Sequence, residues 1–502
     1  MSLTLGDLAE LRALLGDDGV LASDAARLTY EADALVLEKH RPDAVVLPRS
    51  TDEVAAIVRW AATRGLAVTA RGAGTGLAGG ATPAHGGLVV SVNRMNRVLR
   101  LDTERMFAWV EPGVVNLWLS QQLASSGLYY APDPASQQVS TVGGNVATNA
   151  GGPHCLKYGV TLNHVLGLVA VLADGSVVTL GDEMPDGPDS DLASVVVGSE
   201  GTFGIVTEIA VRLLPRPAAV KTMLFDFDTI ESACRAVSAV IAAGIVPAAM
   251  EIMDRHTVGL VEAWLHLGLP LDAAGVLLIE VDGAAESLER QAGIIVEKAR
   301  LHGTRSTRVA KDEPERAAIW RGRKSAFGAY GRSASGFYIM DGVVPRTRLA
   351  EALSGVYRMA GERGLEAGNV FHAGDGNLHP HILFDATDPA QQAAALEVSH
   401  EILRMCIRMG GTISGEHGVG IEKRPMMSEL FAPVDLEVMR SLRCAFDPDQ
   451  RLNPGKILPG GGGCGEAREA LAARARAAGN GEGVPAQLGG RAARADVEGP
   501  WI

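Results

Sequence analysis

The 502-residue sequence predicts a two-domain protein in which an α/β region precedes an α+β region. A chain of this length exceeds the size at which a single hydrophobic core keeps growing. In roughly the first two hundred residues, strand-like runs alternate with helical ones, as in DAVVLP, TDEVAAIVRWAATRG and LAVTARG. This alternation indicates βαβ units and a partly parallel sheet. From about Ala218, blocks such as VLLIEVDG and AESLERQAGIIVEKARLHG are typical of an α+β layer.

We therefore divide the chain into four segments. Residues 1–217 form the first domain, and residues 218–425 form the second domain. Residues 426–458 are expected to pack back on the first domain. Residues 459–502 are rich in Gly, Ala and Arg and lose strand signals, so a disordered tail is predicted.

The composition excludes a general nucleic-acid binder. The formal net charge is −13 and the pI is about 5.5, whereas phosphate contacts need clustered Lys and Arg. The cysteines predict neither a disulfide framework nor a thiolate metal site, because they are odd in number and lack CxxC spacing. We expect free thiols at all five positions, namely Cys155, Cys234, Cys406, Cys444 and Cys464.

The sequence predicts a cytoplasmic protein. The opening pattern LGDLAELRALLGDD is that of an amphipathic surface helix and not of a secretory leader. The most apolar later stretch, Ala236–Met250, is too short to span a membrane. Peripheral association with the inner membrane through a partner, and a homodimer, are left open.

The segment LAVTARGAGTGLAGG, residues Leu66–Gly80, runs from an apolar strand into a glycine-rich turn. Where side chains are missing, successive backbone N–H groups can converge on an anion such as phosphate. The segment is not the usual GxGxxG dinucleotide motif, because another strand follows instead of an amphipathic helix. By itself, the turn is equally consistent with an ordinary chain reversal.

Three later segments favour an extended ligand. PDPASQQVSTVGGNVATNAGG, Pro132–Gly152, consists of small residues that let the backbone approach a ligand closely. VVVGSEGTFGIVTEI, Val195–Ile209, places another glycine turn before a strand, and FDPDQRLNPGKI offers a polar turn near the end.

These segments, in this order over about Asp24–Ile457, resemble the vanillyl-alcohol-oxidase-type flavoproteins. Within that family, the sequence is most similar to glycolate oxidase FAD-binding subunits and to D-lactate and D-2-hydroxyglutarate dehydrogenases. The resemblance implies a two-domain FAD-binding fold with an α+β substrate (cap) domain. Some covalent flavoproteins of this type have a histidine where this chain has Thr75, so noncovalent FAD is expected.

The resemblance also implies which residues contact FAD. They are Arg71, Gly72, Ala73, Gly74, Thr75 and Gly76 in the first turn; Pro132, Asp133, Ser140, Thr141, Gly143, Gly144, Asn145, Thr148, Asn149 and Gly151 in the second segment; and Gly201, Gly204, Ile205, Val206 and Asn453.

Two segments of the second domain carry a histidine cluster. NVFHAGDGNLHPHILF contains His372, His379 and His381, and its strand-like ends around AGDGN predict that the histidines lie close together at a strand turn. GGTISGEHGVGIEKR presents Glu416 and His417 on a glycine-flanked loop. Two imidazoles and a carboxylate form a three-ligand site for zinc or manganese.

In the structural alternative, the histidines hydrogen-bond within a loop and Glu416 pairs with Lys423 or Arg424. Four histidines and a carboxylate in two glycine-rich segments favour the metal site. The resemblance implies four roles in this cluster: the metal ligands His372, His379 and Glu416, and the general base His417.

Oxidation of a 2-hydroxy acid moves a hydride from C2 to flavin N5 while the hydroxyl loses a proton. Such a site needs a base, a carboxylate anchor and a place for the developing alkoxide charge. A metal bound by the hydroxyl and a carboxylate oxygen lowers the pKa of the alcohol. Imidazole titrates near neutral pH, which suits His417 to the role of base. Arg323, in IWRGRKSAFGAYGR, is the candidate anchor for the carboxylate. The alternative for Arg323 is a solvated helix face.

The expected substrate is a small monocarboxylate, glycolate or D-lactate. Relatives that act on D-2-hydroxyglutarate have a lysine near the position of Ile339 that holds the second carboxylate, and this chain lacks it. His381 replaces an asparagine of those relatives and is expected to face the substrate.

Several functions remain open on sequence alone. The enzyme is a dehydrogenase that passes electrons to a quinone, a cytochrome or an iron–sulfur subunit, or it is an oxidase that passes them to oxygen. D-2-hydroxyglutarate oxidation is an alternative, as is a non-redox metalloprotein that retains the flavin fold. A metal-dependent hydrolase explains the histidines but leaves the glycine segments unused.

Overall fold

A computed structural model describes residues 3–183, 190–460 and 464 of the chain. The first elements, in chain order, are α1 (Leu5–Leu15), β1 (Val20–Leu21), α2 (Asp24–Leu28), β2 (Ala44–Val46), α3 (Thr51–Ala62), β3 (Val68–Arg71) and β4 (Leu88–Ser91). The strands form a sheet in the order β1-β2-β4-β3, in which β2, β4 and β3 run parallel. The predicted βαβ pattern is confirmed, and β2 is fully buried, as an apolar strand covered on both faces should be.

A second, antiparallel sheet follows. Its segment of the chain contains β5 (Val98–Asp102), β6 (Phe107–Val110), α4 (Asn116–Gln122), β7 (Leu128–Tyr129), α5 (Val142–Thr148), α6 (Cys155–Tyr158), β8 (Val165–Val171), β9 (Val177–Gly181), α7 (Ser190–Val196), β10 (Ile205–Arg212) and β11 (Leu214–Pro215). The strand order is β5-β6-β10-β8-β9, and β11 pairs separately with β7. Burial along β10 alternates at Ile205, Thr207 and Ile209, because every second side chain faces the core.

The third sheet is the largest. The elements of this region are β12 (Ala219–Phe227), α8 (Ile230–Ala242), β13 (Ala249–Asp254), α9 (Arg255–Leu265), β14 (Gly275–Gly283), α10 (Ala285–Leu301), β15 (Thr304–Val309), α11 (Glu313–Lys324), α12 (Ala326–Ser333), β16 (Gly336–Ile339), β17 (Gly342–Val343), α13 (Leu349–Gly361), β18 (Glu366–His372), β19 (Asn377–Leu378), β20 (Pro380–Phe384) and α14 (Pro389–Arg408). The main strand order is β15-β12-β14-β13-β18-β19-β17, and β20 pairs with β16 and β18.

Helices cover both faces of this third sheet. Leu277 and Ile279 of β14 pack in one core with α8, α10, α13 and α14, whereas Val276 and Leu278 pack in the other with α9, α11 and α12. Because successive side chains point to opposite faces, a strand buried on both sides reads as a continuous apolar run. A charged residue in such a strand therefore needs a buried partner.

The C-terminal part returns to the first sheet. After α15 (Met427–Leu430) and α16 (Pro433–Phe446), the Arg451 carbonyl accepts a hydrogen bond from Val68 N at 2.9 Å, and Asn453 N donates to Val68 O at 2.7 Å. Leu452, between them, is fully buried in the core around that sheet.

The expectation of five free thiols is wrong. Cys444 and Cys464 form a disulfide, while Cys155, Cys234 and Cys406 are free. The two partners are 20 residues apart, and they meet because the chain reverses direction after α16. Cysteines that meet in this way do not have the CxxC spacing that would mark them in the sequence. Of the predicted tail, residues 461–463 and 465–502 lie outside the described residues.

The opening pattern forms a surface helix, as predicted. Thr4 caps α1 with its side chain, and Leu11 and Leu15 are the buried residues on the inward face. Within the described ranges, every helix is either too short or too polar to cross a bilayer.

Candidate active site

A strand hairpin brings the predicted histidines together. β18 ends at His372, which pairs with Asn377 of β19, and β20 begins directly after His379. The turn therefore lies at the predicted AGDGN sequence. All three histidines of this hairpin are buried, namely His372, His379 and His381.

The loop that carries Glu416 and His417 lies against this hairpin. Glu416 Oε1 is 3.2 Å from His372 Nε2 and 3.3 Å from His379 Nε2. The rings of His379 and His417 stack with their centroids 4.9 Å apart. The Nε2 atom of His379 is buried, and its approaches to Glu416 and, at 3.6 Å, to Asp341 Oδ1 do not have hydrogen-bond geometry. The donor atoms thus converge on one point, as the ligands of a metal ion do.

Glu251 of β13 joins this cluster to Arg323. Its Oε1 atom lies 2.7 Å from His372 Nδ1, so that ring nitrogen carries a proton and Nε2 is directed at Glu416. Its Oε2 atom accepts a hydrogen bond of 2.6 Å from Arg323 Nε. Arg323 is only 7% exposed, which rejects the alternative of a solvated helix face.

Asp341 holds the loop that carries Glu416 and His417. Its carboxylate accepts hydrogen bonds from the backbone N–H groups of Glu416, at 3.2 Å, and His417, at 2.8 Å. Lys423 Nζ donates to the same carboxylate at 2.9 Å, and both side chains are fully buried. Burial alone would raise the pKa of Asp341, but Lys423 and the neighbouring histidines bring this pKa well below its usual value.

The structural alternative for Glu416 is therefore wrong. Lys423 pairs with Asp341, and Arg424 donates to the carbonyl of Gly455 at 2.7 Å. The chain provides both basic residues with other partners, so the Glu416 carboxylate stays available to the histidines.

The electrostatics of the cluster suit a cation. Burial opposes protonation of His372, yet Glu251 and Glu416 raise its pKa well above the usual value. Burial likewise opposes ionisation of Glu416, but His372 and its neighbours bring its pKa down to about 2. The cluster thus stabilises positive charge, which is what binding of a divalent metal requires.

His417 and His381 are held in the neutral form. Burial lowers the pKa of His417 to about 4, against the opposing effect of Asp341. Burial lowers the pKa of His381 to about 3. His381 Nδ1 lies 2.8 Å from the His379 carbonyl. Because a carbonyl only accepts, Nδ1 carries the proton and Nε2 is an acceptor.

A glycine-lined cavity of about 60 Å³ lies between the first two sheets. Eight of the residues predicted to contact the cofactor line it: Arg71, Gly72, Gly143, Gly144, Gly201, Gly204, Ile205 and Val206. A Cβ atom at Gly72 would lie 2.3 Å from Thr141 Oγ1, and one at Gly143 would lie 2.4 Å from Pro112 Cβ. Only glycine therefore fits at these two positions of the wall.

Other residues predicted to contact the cofactor differ in their surroundings. Ser140 Oγ and Asn145 Nδ2 are buried without a hydrogen-bond partner among the described residues, which fits an extended polar ligand. By contrast, Asn453 Nδ2 donates to two backbone carbonyls, and Asp133 bonds to His154 at 2.8 Å. Asn149 Oδ1 accepts from the backbone of Leu162.

The second predicted cofactor segment reaches the histidine cluster. A Cβ atom at Gly151 would lie 2.8 Å from Glu416 Oε2 and 2.9 Å from Cys155 Sγ. The absence of a side chain at this position therefore permits direct contact between the two sites. A ligand along the segment and a ligand on the histidines would lie next to each other.

Comparison with protein families agrees with this arrangement. Residues 216–457 match the model for the C-terminal domain of FAD-linked oxidases, and residues 42–181 match an FAD-binding domain. The sequence is 42% identical over 440 residues to the glycolate oxidase subunit GlcD of Escherichia coli, covering 88% of each chain. The chain belongs to the FAD-linked oxidase family.

Other relatives carry related names. The FAD-linked oxidase is 39% identical to the glycolate oxidase subunit GlcD of Bacillus subtilis, covering 89% of this chain and 96% of that one. It is 32% identical to a D-lactate dehydrogenase of Anaerostipes hadrus, covering 90% and 95% of the two chains.

Solved structures support the fold. A p-cresol methylhydroxylase matches with a TM-score of 0.74 at 19% identity, covering 91% of this chain and 97% of that one. A 4-ethylphenol oxidase from Gulosibacter chungangensis matches with a TM-score of 0.73, also at 19% identity, over 91% and 98% of the two chains. The predicted two-domain FAD-binding fold is confirmed, whereas the domain limits at residues 217, 425 and 458 stay predictions.

Sequence reasoning missed two residues that shape the FAD-linked oxidase's site. Glu251 is the single carboxylate of the stretch AAMEIM, and Asp341 is the single carboxylate of FYIMDGVV. An isolated acidic residue in an apolar stretch is the signal that could have found them, because burial of an unpaired charge is too costly to persist.

Replacement of Asp341 is expected to destabilise the protein. In Asp341→Asn the buried Lys423 ammonium loses its counter-charge, which should lower the free energy of unfolding by about 3–5 kcal/mol. The measurement is chemical denaturation of the FAD-bound protein. Glu362→Gln is the control, because the Arg358–Glu362 pair is more than half exposed, and its loss should cost less than about 1 kcal/mol. Equal losses in the two variants would contradict the role of Asp341.

Proposed function

We propose that this FAD-linked oxidase oxidises a small 2-hydroxy acid, with glycolate or D-lactate favoured, to the 2-oxo acid. The observation that carries the proposal is the contact between Gly151 and Glu416, which sets the predicted FAD segment against the histidine cluster. The names of the relatives, glycolate oxidase subunit and D-lactate dehydrogenase, support the same substrate class.

The proposed metal site consists of His372, His379 and Glu416. Their ligand atoms all lie within 4.8 Å of one another, and two imidazoles with one carboxylate suit zinc or manganese. A divalent metal, when bound, would supply a Lewis acid for the substrate hydroxyl. Glu251 holds His372 with Nε2 directed at the site, in the manner of the carboxylates that orient metal-binding histidines.

FAD, His417 and Arg323 have separate roles in the proposed reaction. FAD, when bound, would supply the acceptor for the hydride that leaves C2 of the substrate. His417, neutral and stacked on His379, takes the proton of the hydroxyl. Arg323 binds the substrate carboxylate through Nη1, while Nε and Nη2 stay on Glu251 Oε2.

His381 favours a monocarboxylate substrate. Its ring stacks on Tyr330 with the centroids 4.1 Å apart, and the His379 carbonyl fixes the proton on Nδ1. The Nε2 atom that remains is a neutral acceptor and offers no positive charge to a second carboxylate. D-2-hydroxyglutarate, the alternative substrate, would need such a charge.

The reduced enzyme must pass its electrons to an acceptor. We propose a quinone, a cytochrome or an iron–sulfur subunit as the partner, in the cytoplasm or at the inner membrane. Any iron–sulfur cluster would belong to the partner, because the cysteines of this chain are few and dispersed.

The visible spectrum of the FAD-loaded protein tests the proposed function. Under anaerobic conditions, glycolate or D-lactate should bleach the flavin absorbance band, because hydride transfer reduces the flavin. D-2-hydroxyglutarate should bleach it more slowly. Preferential bleaching by D-2-hydroxyglutarate would overturn the monocarboxylate assignment, and a band that none of these acids bleaches would overturn the proposed reaction.

Replacement of the base should stop reduction but leave FAD in place. In His417→Ala, we expect the rate of flavin reduction by the preferred acid to fall by a factor of about 10²–10⁴. Anaerobic stopped-flow absorbance measures the rate, and the ratio of flavin to protein absorbance measures FAD content. His40→Ala, at an exposed histidine, is the control. An unchanged rate in His417→Ala would remove this residue as the base.

Removal of the metal should also slow reduction. A chelator is expected to lower the rate of flavin reduction, and added zinc or manganese should restore it.

Elemental analysis should find metal in the wild type and in His40→Ala, but not in the His372→Ala, His379→Ala double variant. Glu251→Gln should weaken metal binding by about 10–100-fold. If wild type and double variant hold equally negligible metal, the cluster is structural.

A further inference from the structure

Glu200 connects the wall of the glycine-lined cavity to the loop that carries His417. Its side chain is buried, and Oε1 accepts a hydrogen bond of 2.6 Å from Val419 N. Oε2 accepts a second bond of 2.9 Å from Gly420 N. These two amides follow His417 by two and three residues, so one carboxylate fixes the backbone of the loop on the side away from the hairpin.

The backbone of Glu200 is itself tightly held. Its N–H group donates to the carbonyl of Ala147 at 2.8 Å, and its carbonyl accepts a bond of 2.6 Å from Asn453 Nδ2. Ala147 and Gly201, the next residue, both line the cavity. Glu200 also has a φ of +51°, a left-handed conformation that is costly for a residue with a side chain. The cavity wall therefore determines where the carboxylate points.

The loop approaches this wall so closely that side chains are excluded. A Cβ atom at Gly418 would lie 2.8 Å from Glu200 Oε1, and one at Gly420 would lie 1.9 Å from the carbonyl oxygen of Ala78. Ile421 N donates to the same Ala78 carbonyl at 2.9 Å. Gly418 and Gly420 thus permit close contact with Glu200 and Ala78, and do not serve flexibility alone.

Backbone amides provide the hydrogen bonds that Glu200 receives from the described part of the chain. The nearby ammonium groups are engaged elsewhere. Lys423 pairs with Asp341, and Lys456 Nζ donates to Asn453 Oδ1. A carboxylate that accepts from backbone N–H groups binds them more strongly than a neutral acceptor does. Glutamate is therefore better suited to this position than glutamine.

We infer that Glu200 is a positioning residue that holds His417 at the correct distance from the flavin. The inference rests on the proposed function, in which His417 is the base. Asp341 binds the loop from the second domain and Glu200 binds it from the FAD-binding region, so the loop is fixed to both sides of the active site.

Hydrogen–deuterium exchange of the FAD-bound protein tests, without any substrate, whether Glu200 holds the loop. Glu200→Gln places an amide donor against the N–H group of Gly420, so exchange in the segment 414–422 should become at least about tenfold faster. Glu111→Gln is the matched control, because Glu111 is 3% exposed and accepts a backbone amide at 2.7 Å, from Arg97, away from this loop. Unchanged exchange in Glu200→Gln, or equal changes in both variants, would overturn the inference.

The kinetics of flavin reduction distinguish a positioning role of Glu200 from a general loss of active-site structure. We expect Glu200→Gln to lower the limiting rate of flavin reduction by about 10–100-fold, because a displacement near 1 Å is enough for such a loss. The half-saturating substrate concentration should stay within about twofold, because Arg323 is not displaced. A change in substrate affinity alone would overturn the inference.

Glu200→Asp provides a second variant for both measurements. It keeps the charge but withdraws the carboxylate by one methylene, so intermediate exchange and an intermediate rate are expected. Wild-type exchange and rate in Glu200→Asp would overturn the inference even if the glutamine variant fails to fold. If no hydroxy acid reduces the wild-type flavin, the proposed function fails, whereas exchange still decides whether Glu200 holds the loop.

Discussion

The buried ion pair between Asp341 and Lys423 is the interaction on which the rest of the site depends. Two buried charges are stable only when they are paired and their remaining donors and acceptors are satisfied. Here the remaining lone pairs of Asp341 accept the backbone amides of Glu416 and His417. The energetic need to satisfy one buried carboxylate therefore fixes a proposed metal ligand and the proposed base at once.

A second buried carboxylate has a similar function on the other side of the histidine cluster. Glu251 bonds to His372 with one oxygen and to Arg323 with the other. Because both bonds share a single carboxylate, the proposed metal ligand and the proposed substrate anchor cannot move independently. The candidate site is thus assembled from pairs of residues with proposed roles, each pair fixed by one buried acidic residue.

Glycine determines how near the two halves of the active site lie. Gly151 of the predicted FAD segment faces Glu416, and a side chain there would push the carboxylate away. At Gly72 and Gly143, the wall of the cavity is likewise too close to neighbouring atoms for any larger residue. The 60 glycines of the chain include positions where close approach, more than turn geometry, accounts for the residue type.

The local patterns of the sequence predicted much of the molecule. Alternating strand and helix signals predicted the parallel sheet, and the AGDGN turn between strand-like ends correctly placed His372 and His379 together. Family resemblance then supplied the fold and the cofactor. The disulfide between Cys444 and Cys464 was not predicted, because spacing in the sequence does not reveal where a chain reverses.

Residue types and short-range order were thus determined by the sequence itself, since hydrophobic periodicity and turn residues act over a few neighbouring positions. The tertiary structure decided the partners of the buried charges. Lys423 pairs with Asp341 and not with Glu416, and Glu251 lies 72 residues from Arg323 along the chain. Which charges meet depends on how three sheets pack. No local pattern encodes that arrangement, because each charge has many sequence-compatible partners until the fold excludes most of them.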